Sequence, residues 1–135
     1  MMGLFDSISL MEKLLDAKWL RNRILSNNIA NADTPGYKRS DVSFEEVLKK
    51  NMEQENVLAL TTTHKNHISN IKTVSDIKPR VFLQNDTTLR NDRNNVDIDK
   101  EMVELTKNTL SYNMTADQLQ RAFQLLNMAI SEGRR

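Results

Sequence analysis

The sequence predicts a mainly α-helical protein in which two long terminal helices pack as a coiled-coil pair. Apolar or small residues recur at alternating steps of four and three along residues 98–130, and a wide helical stripe runs through residues 4–29. Between these regions Asn, Asp, Thr and Lys dominate. We therefore divide the chain into an N-terminal axial helix (1–31), a Pro-Gly turn (32–39), a polar middle segment (40–96) and a C-terminal heptad helix (97–135).

The N-terminal helix is predicted from apolar residues that recur at helical spacing on one face. This half of the proposed assembly seam comprises Leu4, Ile8, Met11, Leu15, Leu25 and Ile29. Lys18 and Asn22 interrupt the stripe midway. Because polar groups are costly in a deep core, we expect these two side chains to snorkel, to bond to a partner or to set the packing register.

The first helix is expected to end near Asn31. Pro35 cannot continue a helix and favours extended geometry at Thr34, and the pair Pro35-Gly36 suits the central positions of a type II turn. On these grounds alone, the segment is an ordinary helix stop.

The middle segment is predicted to be largely irregular, with at most a short helix and short strands. Residues 44–54 favour the short helix, Arg80–Leu83 favours a strand, and most of the segment is expected to be mobile in the free monomer. His64 and His67 are three residues apart, but zinc usually takes three or four protein ligands and the chain has no Cys and no third His. We therefore predict no metal site and give these histidines a surface or interface role.

The C-terminal helix carries the second half of the proposed assembly seam. The step between its residues averages 3.5, which keeps one stripe facing a partner helix over its whole length. Its large members are Ile98, Met102, Leu105, Tyr112, Leu119, Phe123, Leu126 and Ile130. Periodicity leaves two partners open, the first helix of the same chain or a helix of another chain. Asp97 is expected to cap the helix and Gly133 to end it.

Composition favours assembly over catalysis. Only 39% of the 135 residues are hydrophobic and 5% are aromatic, so a single core would be thin and partner chains are expected to complete it. The near balance of 19 basic and 18 acidic residues gives no general electrostatic reason to bind nucleic acid or an anionic membrane. On the first helix, acidic residues nearly cancel the basic Lys13, Lys18, Arg21 and Arg23. No run approaches the ~20 apolar residues of a membrane span, and no cleavable signal is evident.

Catalytic signatures are also missing from the sequence. It contains no Gly-x-Ser-x-Gly turn, no phosphate-binding loop and no metalloprotease helix motif. We therefore predict that the protein is not an enzyme, holds no cofactor and takes no small-molecule substrate.

One run of residues resembles a known family. Residues 28–39 read N-I-A-N-A-D-T-P-G-Y-K-R, which is similar to the signature at the end of the first helix in bacterial flagellar rod and hook proteins. The turn motif comprises Asn28, Asn31, Asp33, Thr34, Pro35, Gly36, Tyr37 and Lys38. Residues 60–68 and 95–102 agree as well, in the right order, and the short chain suits a proximal rod member. Residues 91–95 depart from the family pattern because they contain neither Pro nor Gly.

The resemblance implies a structural subunit of the flagellar basal-body rod. Its terminal helices would pack into an axial coiled-coil layer and stack into a tube that transmits torque and encloses the export channel. The partners implied are other copies, other rod proteins, the adaptor FliE and the export gate at the membrane ring. The implied location is the basal body outside the cytoplasmic membrane, which is the periplasm if an outer membrane is present. The protein would reach it by type III export without a cleaved signal peptide.

The resemblance also gives the turn the role of a joint. In that role Asn28 and Asn31 would bond to backbone groups of an adjoining chain, and Tyr37 would pack its ring while its hydroxyl finds a polar partner. The alternative from another class is a small soluble helical adaptor or export chaperone that binds a partner helix through the same stripe.

Overall fold

The structure is a computed structural model that describes residues 4–44, 46–49, 78–85 and 93–133. Helix α1 spans Leu4–Ala30, strand β1 Ser40–Ser43, a single helical turn α2 residues 46–49, strand β2 Arg80–Leu83, and helix α3 Ile98–Glu132. The predicted mainly α fold with two long terminal helices is confirmed. No helix within the described ranges is long and apolar enough to cross a membrane.

Helices α1 and α3 form an antiparallel pair. At ~1.5 Å per residue their 27 and 35 residues correspond to about 40 and 52 Å. Asn28, near the end of α1, bonds to Glu101 at the start of α3, and Lys18 near the middle of α1 bonds to Ser111. The two long elements therefore run side by side over most of α1, although residues 31–97 separate them in sequence.

The helix ends follow local sequence chemistry. Helix α1 ends at Ala30, and beyond it the Tyr37 N–H donates to the Thr34 carbonyl at 3.2 Å across Pro35 and Gly36. Gly36 has φ 72°, the left-handed conformation that a type II turn requires at this position. The predicted helix end and turn are both found.

The start and end of α3 also agree with prediction. Asp97 has extended geometry and its side chain accepts from the Lys100 N–H at 3.3 Å, as an N-cap does. Helix α3 ends at Glu132, and Gly133 follows as its C-cap residue, with its N–H still donating to the Ala129 carbonyl at 3.2 Å.

A two-stranded antiparallel ribbon packs on α1. In its register Ser40 faces Leu83 and Val42 faces Val81. Strand β2 was predicted, whereas β1 was not, because its sequence Ser-Asp-Val-Ser holds a single apolar residue and is typical of a loop. What stabilises β1 is tertiary: Val42 and Phe44 pack on Ala17 of α1 in the small core.

Helix α2 falls inside the predicted helix over 44–54, of which residue 45 and residues 50–54 lie outside the described residues. Also outside them lie His64 and His67, the apolar clusters at 57–60 and 68–74, and most of the segment expected to be mobile.

Candidate functional site: a polar joint and the faces of helix α3

A buried polar cluster joins the end of α1, the turn, the ribbon and the start of α3. We call it the joint, and it consists of Asn28, Tyr37, Arg39, Asn94, Asn95 and Glu101. Two stretches of sequence that are about 60 residues apart meet there. It is the most polar part of the described interior, in a protein whose apolar core is small.

Asn28 lies at the centre of the joint and is completely buried. Its Nδ2 donates to the Ser40 carbonyl at 2.8 Å and to Glu101 Oε2 at 2.9 Å. Its Oδ1 accepts from the Ser40 N–H at 3.1 Å and from the Tyr37 hydroxyl at 3.2 Å. The amide thus pairs with both backbone groups of Ser40, which fixes its orientation and holds β1 on the last turn of α1.

Glu101 and Arg39 form the ion pair of the joint. The Glu101 residue is 1% exposed, and its Oε1 accepts from Arg39 Nε. Arg39 Nη2 also lies 3.2 Å from Asp41 Oδ2, and Arg39 Nη1 donates to Gln84 Oε1 at 3.0 Å. A buried carboxylate is tolerated only when charge and hydrogen bonds compensate its lost hydration, and both are supplied here.

The ionisation of the joint follows from this geometry. Burial lowers the pKa of the Arg39 guanidinium, but its hydrogen bond to Glu101 and the charges of Glu101 and Asp41 outweigh burial and leave the pKa above its ordinary value. Burial, and then the charge of Glu101, raise the pKa of the Tyr37 phenol. Tyr37 therefore stays neutral and Arg39 stays charged at physiological pH.

Asn94 and Asn95 connect the approach to α3 with the turn and the ribbon. Asn94 Nδ2 donates to the carbonyls of Asn31, Ala32 and Thr34 at 3.1, 2.8 and 3.0 Å, while its Oδ1 accepts from the Val96 N–H. Asn95 accepts from the Arg39 N–H at 2.7 Å and donates to the Gln84 carbonyl at 2.7 Å. Arg93 has φ 64°, so this loop makes its sharp bend without Pro or Gly.

The predicted turn-motif residues divide into an inner and an outer set. Asn28 is buried and Tyr37 is half-buried, whereas Asp33, Thr34, Pro35 and Gly36 are exposed and Lys38 is half-buried. Asn31 donates to the Asn27 carbonyl at 2.8 Å. Asn28 makes its described hydrogen bonds within this chain, and bonds to an adjoining chain stay a prediction.

The face of α3 that packs on α1 is more polar than the heptad pattern suggests. Its buried residues, Glu101, Asn108 and Thr115, recur every seven residues. Each lies immediately before a position of the heptad stripe, which includes the small residues Thr109 and Ala116 as well as Met102. Asn108 Nδ2 donates to the Lys18 carbonyl at 2.8 Å, and Lys18 Nζ donates to Ser111 at 2.6 Å. The polar residues Lys18 and Asn108 thus set the register of the helix pair, one of the roles expected for Lys18.

The seam residues are consequently split between two environments. Leu25 is buried, and half-buried positions are Ile8, Met11, Leu15, Ile29, Leu105, Leu119 and Leu126. Exposed positions are Ile98, Met102, Tyr112, Phe123 and Ile130, and the side chain of Leu4 lies outside the described residues. One edge of the seam therefore lies within the helix pair, and the other edge is open to solvent.

The basic residues of α1 are largely engaged within the chain. Arg21 Nη2 lies 3.5 Å from Glu104 Oε2, and Arg21 Nε lies 3.8 Å from Asp41 Oδ1. The Arg23 guanidinium stacks over Trp19 at 5.0 Å from the ring centroid. The Arg21 contacts tie α1 to α3 and to the ribbon, whereas the Arg23 contact lies within α1. Together they leave no continuous basic face on the described part of this helix.

Comparison with known proteins decides the family. The model of the family described as flagella basal body rod protein matches residues 21–38, which include Asn28 and Tyr37 of the joint. Flagellar basal body rod protein FlgB of Borreliella burgdorferi is 37% identical over 92% of this chain and 95% of its own length. FlgB of Bacillus subtilis is 32% identical over 98% and 100%, and FlgB of Escherichia coli is 33% identical over 84% of each chain.

The chain belongs to the FlgB family of flagellar basal body rod proteins. As a family member it is a structural rod subunit, as its sequence predicts, and these relatives do not support the alternative adaptor or chaperone.

Four joint residues of this FlgB-family chain were not selected from the sequence: Arg39, Asn94, Asn95 and Glu101. Arg39, Asn95 and Glu101 do lie in the stretches that resemble the family, which was the only signal available. Glu101 lies in the first turn of α3, where negative charge is favourable on any helix. Nothing local in the sequence shows that an Arg 62 residues away neutralises it in the interior.

Proposed function

We propose that this FlgB-family chain builds the proximal rod by packing its α1 and α3 hairpin lengthwise against the hairpins of neighbouring subunits. The open edge of the seam carries this proposal. Met102, Phe123 and Ile130 lie on one side of α3 and are about half or more exposed, next to Leu119 and Leu126 in the helix pair. An isolated helical hairpin has no reason to repeat large apolar residues on a free edge, whereas a tube of helices buries both edges.

The hairpin suits torque transmission because resistance to shear is distributed along its length. Each large apolar side chain contributes about 1.5–3 kcal/mol when it becomes fully buried, so no single contact dominates the seam. Sliding one helix past another would require all these side chains to leave their holes together. A groove beside Leu15, lined by Ala116, Leu119 and Phe123, provides one such hole on the hairpin surface.

The joint gives the turn its role in this proposal. Residues 1–31 and 97–135 are the axial layer, 32–39 the connector and 40–96 the middle segment. Asn28, Arg39 and Glu101 fix the direction in which the chain leaves α1, so every copy presents the ribbon at the same angle to its helices. A stack of identical subunits requires such uniformity.

The proposed partners are other copies of the chain, other rod proteins, the adaptor FliE and the export gate at the membrane ring. Family membership supports the rod proteins as partners. FliE and the export gate are proposed from the resemblance of residues 28–39 alone. The proposed location is the basal body outside the cytoplasmic membrane, and the periplasm where an outer membrane exists, reached by type III export. The enclosed channel and the drive-shaft role belong to the same proposal.

Deletion and complementation in a flagellated host test the proposal. We expect deletion to abolish swimming and to remove the rod from isolated basal bodies, and the wild-type chain to restore both. A second arm complements with Phe123→Asp, which places a charge on the open edge, and with the neighbouring exposed Gln124→Asp as a matched control. Intact basal bodies in the deletion strain would overturn the rod assignment, and full rescue by Phe123→Asp would overturn the role of the seam.

A further inference from the structure

Helix α3 carries a second row of exposed side chains on the face turned away from α1. Each of Val103, Leu110 and Asp117 lies two residues beyond a buried residue of the helix pair, about 200° around the helix. The row, which we call the outer face, continues at steps of three and four and comprises Val103, Lys107, Leu110, Met114, Asp117, Arg121, Leu125, Met128 and Glu132. All nine residues are exposed, and the heptad seam includes none of them.

The outer face is apolar enough to need a partner. Leu110, Met114 and Leu125 are each about 60% exposed, and Met128 is half exposed. These four side chains form two exposed apolar pairs over about five helical turns, one on each side of Asp117 and Arg121, and such exposed apolar surface is typical of an interaction site. Within the part of the chain that the structure describes, no element covers this face.

The order of residues along the outer face is self-complementary for an antiparallel partner. When α3 is laid against a second α3 in the opposite direction and centred near Leu119, Leu110 faces Met128 and Met114 faces Leu125. In the same register Asp117 faces Arg121, and Lys107 faces Glu132. The four large apolar residues between positions 110 and 128 then each meet an apolar residue, and the four charged residues each meet an opposite charge. Each pairing occurs twice by symmetry, and Val103 lies beyond the paired stretch.

We propose that two copies of the free chain pair through the outer faces of α3 as an antiparallel two-fold dimer. A parallel arrangement in register would instead place Asp117 against Asp117 and Arg121 against Arg121, which like-charge repulsion disfavours. The apolar patch is small, so the dimer is weak, with a dissociation constant that we place at roughly micromolar or above.

The symmetry of this pairing determines its consequence. A two-fold contact uses the same patch on both subunits and closes on itself, whereas a growing tube requires contacts between different patches. The dimer therefore covers the apolar outer face of the free subunit without starting a polymer, and it must dissociate before the face meets anything else. This inference is independent of the rod assignment, because it concerns the free chain.

Sedimentation velocity on the purified full-length chain, over roughly 1 µM to 1 mM, tests the association. We expect a reversible monomer–dimer equilibrium that Leu110→Asp weakens at least tenfold. Met102→Asp, at a half-exposed seam residue off the outer face, is expected to leave this equilibrium unchanged. Arg121→Asp weakens the dimer, and adding Asp117→Arg restores it. A monomer at every concentration, open-ended association, or equal loss with Met102→Asp overturns the proposal. Circular dichroism confirms that each variant remains helical.

Disulfide trapping tests the antiparallel direction. The chain has no native Cys, so only the introduced thiols can form disulfides. In the proposed register Leu110→Cys protein and Met128→Cys protein, when mixed and oxidised, form a covalent heterodimer, whereas each alone does not. The 18 residues between these positions span about 27 Å, far beyond the ~7 Å that a disulfide tolerates between Cα atoms. Cross-linking of Leu110→Cys to itself indicates a parallel pair and overturns the proposal.

Discussion

The guanidinium of Arg39 donates to the buried carboxylate of Glu101, and this contact joins the chain directly after the turn to the first turn of α3. The second Glu101 oxygen accepts from Asn28 at the end of α1. A single carboxylate therefore holds together the end of one long helix, the start of the other and the segment between them. The direction of the chain after α1 depends on this charge.

Glu101→Gln is expected to lower the free energy of unfolding by about 3 kcal/mol. Both Glu101 oxygens accept hydrogen bonds, so the amide nitrogen of Gln would meet a donor from either Arg39 or Asn28. Asn28 cannot flip to compensate, since Ser40 fixes its amide. Urea unfolding followed by circular dichroism measures the change. The matched control is Glu12→Gln, an exposed residue of α1 whose substitution is expected to change the free energy of unfolding by less than about 0.5 kcal/mol. Equal effects of the two variants would contradict the account of the joint.

Asn94→Ala is expected to destabilise the chain by about 2 kcal/mol, because the carbonyls of Asn31, Ala32 and Thr34 lose the buried donor that they share. The substitution should also promote local opening of the turn, in addition to lowering the free energy of global unfolding. Hydrogen exchange of the Tyr37 N–H, which closes the turn, reports the local opening. Asn113→Ala, an exposed Asn on α3, serves as the control and is expected to change neither quantity. An unaltered exchange rate in Asn94→Ala would show that the turn does not depend on this side chain.

Gly36→Ala is expected to cost about 1–2 kcal/mol because Ala is strained at a φ of 72°. A Cβ at this position meets no atom within 4 Å, so the cost is conformational and not a clash. Gly36→Asn should therefore cost less, since Asn tolerates the left-handed region. Thermal unfolding of the three proteins gives the comparison. Equal stability of Gly36→Ala and wild type would mean that the turn has another conformation.

Phe123→Ala is expected to leave the free subunit nearly as stable as wild type but to reduce its incorporation into rods. Phe123 is 46% exposed in the free chain, so only part of its apolar surface is buried within the monomer. Leu119→Asp, at a half-buried seam position, is expected to affect both quantities. Quantifying the subunit in isolated basal bodies, alongside urea unfolding, separates the two effects. A Phe123→Ala subunit that assembles at the wild-type level would remove Phe123 from the seam.

Raising the pH is expected to weaken the joint through Tyr37. Its pKa is raised in the folded chain, so the phenol proton is held more tightly there than in the unfolded chain. The stability linked to this group is thus fully present below pH 10.0 and is lost as pH rises towards the higher folded value. Tyr112→Phe leaves Tyr37 as the only tyrosine, and phenolate absorbance then gives its titration in buffer and in urea. A folded midpoint at or below the unfolded one would contradict the burial of this hydroxyl.

The sequence by itself determined the elements whose causes are local. Pro35 and Gly36 specify the end of α1 and the turn, Asp97 specifies the start of α3, and the apolar periodicity specifies two long helices. Its run at 28–39 also indicated the family that the relatives confirm. These features depend on backbone geometry and on side chains within a few residues, which a single chain displays directly.

Tertiary structure alone decided which face of α3 meets α1 and which residues form the joint. Periodicity gives the spacing of a stripe but does not identify the helix that packs against it. The spacing therefore could not predict how α3 is rotated about its axis. The observed rotation buries Glu101, Asn108 and Thr115 and leaves Phe123 half exposed. Strand β1 contains one apolar residue, so hydrogen bonds from distant residues hold it in place. Asn28 donates to the Ser40 carbonyl in β1, and Gln84 accepts from Arg39, which directly precedes β1. Contacts between residues that are about 60 positions apart carry no local pattern, and only the folded chain brings them together.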